Sequence, residues 1–135
     1  MRTISKQTIS IDKFLRKRNI KPYSKILKQI WEKKGFNVVG IDISKGSDIA
    51  DFIIICSGNS TKHCQTIADE LQKIAKLNKV PFSIEGYSKG DWILVDIGSI
   101  IIHIFTEETR EIYDLEGLWY GLPNYHIQEV SQSVE

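Results

Sequence analysis

The chain is poor in the residues that cross-link, ligate or break a fold: it has two cysteines, three prolines, three histidines and one methionine. Cys56 and Cys64 make no disulfide framework, so a reducing compartment is expected and both read as small core residues. Long apolar runs are also missing. The longest, Phe52-Ile53-Ile54-Ile55-Cys56, falls far short of the ~20 residues that a membrane helix needs. The N-terminus lacks the apolar segment of a secretory signal. His63, His103 and His126 show no zinc spacing with the cysteines, and no metal or cofactor is expected.

Catalytic patterns are equally scarce. Nucleotidyl transfer needs two carboxylates on one strand face, two residues apart, to hold metal ions. Asp42, Asp48, Asp51, Asp91 and Asp96 supply no such pair. Cys64 projects about 100° away from His63 on a helix, which removes them as a nucleophile and base. His103, between Ile102 and Ile104, reads as a hydrogen-bonded structural histidine. Gly58-Asn59-Ser60-Thr61, between a strand and a helix start, could receive an anion. It lacks the other glycines and the lysine of a phosphate loop, so a plain helix cap is expected. The residues point to a binding protein and not to an enzyme.

What is present is an ordinary globular composition, 41% apolar and 26% charged over 135 residues, with room for one domain. The charge is segregated. Residues 1–22 carry seven basic residues against Asp12, net +6; residues 23–84 carry nine against six, net +3; residues 85–135 carry two against ten, net −8. Residues 1–22 are expected to be a basic arm without apolar period, residues 23–120 the domain, and residues 121–135 a loose tail. Such a molecule is suited to charged partners on both sides.

Within the domain, Tyr23, Ile26, Leu27, Ile30 and Trp31 share one helix face, and Gly35 is placed to close that helix. Val38 to Ile43 and Phe52 to Cys56 read as strands, the second buried on both faces. Ser60 or Thr61 caps a helix striped by Cys64, Ile67, Ala68, Leu71, Ile74 and Ala75. Pro81 opens a short strand, Trp92 to Asp96 and Ile100 to Phe105 form a hairpin, and short helices reach Trp119. The expected fold is α/β, a mixed five-stranded sheet with helices packed on it. Trp92, Tyr113, Trp119 and Tyr120 gather the aromatics in the acidic half, a composition that interfaces favour.

Three stretches carry a family resemblance. Asp51 to Ser60 followed by Lys62-His63 resembles ADYFVI-x-(S/T)G-(T/N)S-x-(R/K)H. Glu85-Gly86, Gly90 to Asp96, Gly98 and Ile101 to Phe105 resemble EG…G(E/D)WVLLD-x-G-x-VVVHIF. Glu107-Glu108, Arg110, Tyr113 to Glu116 and Leu118-Trp119 resemble EE-x-R-x-(F/Y)YDLE-x-LW. The resemblance is to the ribosomal silencing factor (Iojap, RsfS) family, and it covers roughly residues 23–119 of this chain.

The resemblance implies a cytoplasmic translational repressor with a nucleotidyltransferase-like fold that lacks the catalytic carboxylates. It implies docking on universal large-subunit ribosomal protein fourteen, which blocks joining of the small subunit. A role in large-subunit assembly shares that surface, and a nucleotidyltransferase-like enzyme remains the other alternative. Trp92, Ile93, Glu111, Tyr113, Asp114, Leu118 and Trp119 are the expected partner-binding residues, with Glu111, Asp114 and Glu116 steering a basic partner. A homodimer of the free protein is compatible with such a surface. The arm lies outside the family pattern, and is expected either to touch rRNA phosphates or to direct the chain to an organelle. Ser99 departs from the acidic residue often found at its turn.

Overall fold

The structure is a computed structural model and describes residues 6–15, 21–48 and 50–130. Its centre is β3 (Phe52–Gly58), whose seven residues are all buried. A strand apolar on both sides is stable only where both faces are covered. It pairs in parallel with β6 (Ile100–Thr106) and antiparallel with β2 (Phe36–Asp42). Beyond β6 lie β5 (Trp92–Asp96) and β4 (Ser83–Glu85), both antiparallel. The β5–β6 hairpin matches the expectation.

The sheet has seven strands and not five. The two extra ones come from the expected arm and tail: β1 (Gln7–Ser10) pairs in parallel with β7 (Asn124–Gln128), and β7 runs antiparallel to β2. Helix α1 (Ile11–Leu15) follows β1 and buries Ile11, Phe14 and Leu15 completely or nearly so. The Phe14 ring lies 4.8 Å from Phe52 and 5.8 Å from Tyr125. A side chain at Gly40 would come within 2.8 Å of the Phe14 ring, so only glycine admits it. Residues 7–15 therefore have an apolar set to bury. It was hidden because one helical turn and one short strand are too brief to show a period. Arg16, Lys17 and Arg18 of the expected arm lie outside the described residues.

Two faces of the sheet are covered differently. Ile93, Val95, Ile100, Ile102 and Ile104 point to one side, with α1, α2 (Lys21–Leu27), α3 (Gln29–Glu32) and α4 (Thr61–Leu77) packed over them. The expected helix from Tyr23 is α2 and α3 separated by Lys28 alone; Lys34 and not Gly35 takes the left-handed conformation. Gly35 is needed for space instead, since a Cβ would lie 2.8 Å from Ile30. On α4, Cys64, Ile67, Ala68, Leu71 and Ala75 form the buried stripe. Val39, Ile41, Ile53, Ile55, Ile101 and Phe105 point to the other side, under Leu115, Trp119 and Leu122.

Candidate partner-docking face

The second side is closed by two short helices, α5 (Glu107–Tyr113) and α6 (Leu115–Leu118). Thr106 caps α5 by accepting from the Thr109 N–H at 3.4 Å, and Glu107 and Glu108 place negative charge at its positive end. Asp114 adopts the left-handed conformation (φ 42°, ψ 53°) and turns the chain between the helices. Asp and Asn tolerate this better than bulky residues do.

Arg110 fixes this layer to the sheet. Its Nε donates to Glu116 Oε1 at 3.1 Å, and its Nη1 donates to the Asn37 carbonyl at 2.7 Å and the Ser57 hydroxyl at 2.8 Å. A guanidinium can serve α6, a bulge in β2 and the end of β3 together because its donors are held in a planar fork. An open cavity of about 610 Å³ surrounds the group, bordered by Glu107, Glu111, Asp114 and His126.

Neither helix has a fully buried residue. Ile112 is 73%, Leu118 71% and Tyr113 57% exposed, and Tyr120 is exposed beside them. Four large exposed side chains between residues 112 and 120 make this layer the candidate for partner contact. Under it lies an aromatic platform. The Trp92 ring stacks on Phe105 (centroids 5.1 Å, 27°), touches Tyr113 at 4.7 Å, and donates from Nε1 to His103 Nδ1 at 3.0 Å. His103 is the hydrogen-bonded structural histidine that its setting suggested. Burial pushes it down to about 4, so it stays neutral near pH 7 with its hydrogen on Nε2. The Trp119 Nε1–H is buried without an acceptor among the described residues.

Six of the seven expected docking residues, Trp92, Glu111, Tyr113, Asp114, Leu118 and Trp119, belong to this layer and its platform. Ile93 does not. It is fully buried on the four-helix side, because consecutive strand residues point to opposite faces. Ile112, which had no role in the sequence reading, is the most exposed large apolar residue of the layer. A helix signal in a half-polar segment does not reveal which side is covered.

The other candidates are structural. Ser60 is the cap of α4, accepting from the His63 N–H at 3.0 Å. The His63 ring accepts from the Asn59 N–H at 2.8 Å and donates to the Lys33 carbonyl at 2.6 Å, tying the turn to α3. Both cysteines are buried, and burial pushes the Cys56 thiol up to about 12 and the Cys64 thiol up to about 11. Thiols so raised are poor nucleophiles. Among the described residues no group of three His, Cys, Asp or Glu converges as a metal site.

The family model described as ribosomal silencing factor during starvation (RsfS) matches residues 16–135. A ribosomal silencing factor RsfS of Halalkalibacterium halodurans is 39% identical over 100 residues, 73% of this chain and 86% of that protein. The mouse protein named mitochondrial assembly of ribosomal large subunit protein 1 is 44% identical over 73 residues, 51% of this chain and 32% of its own length. A crystal structure from Bacillus halodurans superposes with a TM-score of 0.69 at 34% identity, covering 78% of this chain and 97% of that one.

Proposed function

The chain belongs to the ribosomal silencing factor family, and from that premise we propose that it represses translation by docking on the large ribosomal subunit. The carrying observation is the exposed Tyr113–Leu118 layer over the Trp92 platform, in a segment with five carboxylates between residues 107 and 118. Aromatic and apolar anchors supply affinity at an interface centre, and the surrounding charge guides the approach of a basic partner. The partner we assign is universal large-subunit ribosomal protein fourteen. Occupancy there bars the small subunit from joining by steric overlap. The same face would support a homodimer of the free chain, in competition with docking. The chain acts in the cytoplasm, or in an organelle if its basic N-terminal residues direct it there.

The test is sedimentation of the purified protein with dissociated subunits. It is expected to travel with the large subunit and to reduce the joined-ribosome peak. Travel with the small subunit or with neither overturns the reading.

An assembly role is favoured by one finding, the mouse relative whose name speaks of large-subunit assembly. Depletion that accumulates large-subunit precursors, with unchanged repression during starvation, selects this alternative. The nucleotidyltransferase-like reading, an enzyme taking phosphate at Gly58–Thr61, is met by calorimetric titration with nucleoside triphosphates and magnesium, for which no heat of binding is expected.

A further inference from the structure

Charge in this molecule is divided by the sheet itself. Helices α1 to α4 and the turns that join and end them (residues 11–15, 21–34 and 61–79) contain ten lysines and four carboxylates, net +6. The α5–α6 layer on the opposite side (residues 107–118) contains five carboxylates and Arg110, net −4. Arg110 is committed internally. In the helical layer, Asp12 is taken by Lys28 at 3.1 Å, and Glu70 lies between Lys33 and Lys73 at 4.0 and 3.9 Å. Among the described residues, Lys13, Lys25, Lys34, Lys62, Lys76 and Lys79 form no ion pair.

The densest part of this surplus is on α4. At about 100° per residue, Lys62, Thr66, Asp69, Lys73 and Lys76 fall on one line, diametrically opposite the buried Cys64, Ile67 and Leu71. Lys62, Lys73 and Lys76 are exposed. Asp69, the carboxylate on this line, accepts a hydrogen bond from the Tyr87 hydroxyl. From Lys62 to Lys76 the stripe runs about 21 Å at ~1.5 Å per residue.

We propose that this outer face of α4, with Lys33 reaching Glu70 beside it, is a second docking surface whose occupant is the phosphate backbone of RNA. A linear row of flexible ammonium groups fits a partner that presents regularly spaced negative charge and demands no pocket. An anionic membrane surface fits less well, since interfacial helices bring Trp, Phe and Leu together with their cations, and only Leu77 is a large exposed apolar residue on α4. The surface lies across the sheet from the Trp92 platform, so both can be occupied at once. RNA affinity can therefore fail while the docking reading stands, and the reverse.

The experiment is fluorescence anisotropy of the full chain with an RNA duplex of arbitrary sequence across a salt series. Binding is expected at low salt, with a log–log slope of about −4 to −5 for four to six neutralised phosphates. The triple variant Lys62→Gln, Lys73→Gln, Lys76→Gln is expected to fold normally and to flatten that slope by about 2–3. Glu108→Gln with Glu111→Gln, on the other face, should leave the slope unchanged. Absence of duplex binding at low salt, an unaltered slope in the triple variant, or a lysine-dependent attachment to phosphatidylserine vesicles without duplex binding each overturns the proposal. It is overturned too if Arg16→Gln, Lys17→Gln and Arg18→Gln abolish binding that the α4 triple variant leaves intact.

Discussion

The two sides of the sheet are made of the same apolar strands but are finished differently. On one side, four helices bury eleven of their side chains against the strands, among them Phe14, Leu27, Ile30 and Leu71. On the other, α5 and α6 bury none fully and are held by Leu115, Trp119 and the Arg110 fork. The first arrangement places most of the folding energy, because removal of apolar area from water is its main source. The second leaves Ile112, Tyr113, Leu118 and Tyr120 exposed.

The contrast predicts where substitutions register. Deleting residues 1–15 removes β1 and α1 together, and is expected to lower the melting temperature by many degrees or to prevent folding. An arm without contacts would leave it nearly unchanged. Phe14→Ala alone should lose about 3–5 kcal/mol in urea unfolding, and a loss below about 1 kcal/mol would remove α1 from the core.

Acid should act on the platform next. The unfolded His103 binds its proton at its ordinary value of 6.5, whereas burial holds the folded one to about 4. Between those values the unfolded chain binds more protons, so stability falls as pH drops from about 6.5 toward 4. The loss contributed by this residue approaches roughly 3 kcal/mol at the lower end. His103→Gln should flatten the stability profile in that window, and an unchanged profile would show the ring accessible to water.

Trp92 is half-buried, so Trp92→Ala should lose less stability than Phe14→Ala while weakening large-subunit binding by at least ~2 kcal/mol. A variant destabilised as much as a core tryptophan, or one that is stable and binds normally, removes Trp92 from the docking face. Leu118→Ala should be the cleanest separation, changing stability by less than about 0.5 kcal/mol and binding by about tenfold. Equal stability with equal binding would leave Leu118 outside the interface. Smallest is charge: Glu108→Lys with Glu111→Lys should slow association at low salt and leave dissociation nearly unaltered. Glu116 is a poor choice for that experiment, because it also anchors Arg110.

The sequence by itself determined the class of fold, the capped α4, the fully buried β3 and the β5–β6 hairpin. In each case the signal is local: a hydroxyl at the cap, a period of 3.6 or 2, a continuous apolar run, a glycine at the turn. The family motifs, being contiguous in the chain, were legible in the same way, and so was the presence of Trp92, Tyr113 and Trp119 in one acidic region. Tertiary structure alone decided that Gln7–Ser10 and Asn124–Gln128 are strands, since each is stabilised by a partner more than a hundred residues away and not by its own pattern. It alone put Ile93 inside and its neighbour Trp92 on the platform, because strand alternation separates adjacent residues but not which face a later helix will cover. And it alone assigned Arg110 its three partners, from Asn37, Ser57 and Glu116: a side-chain fork chooses by geometry among groups that the chain order keeps far apart.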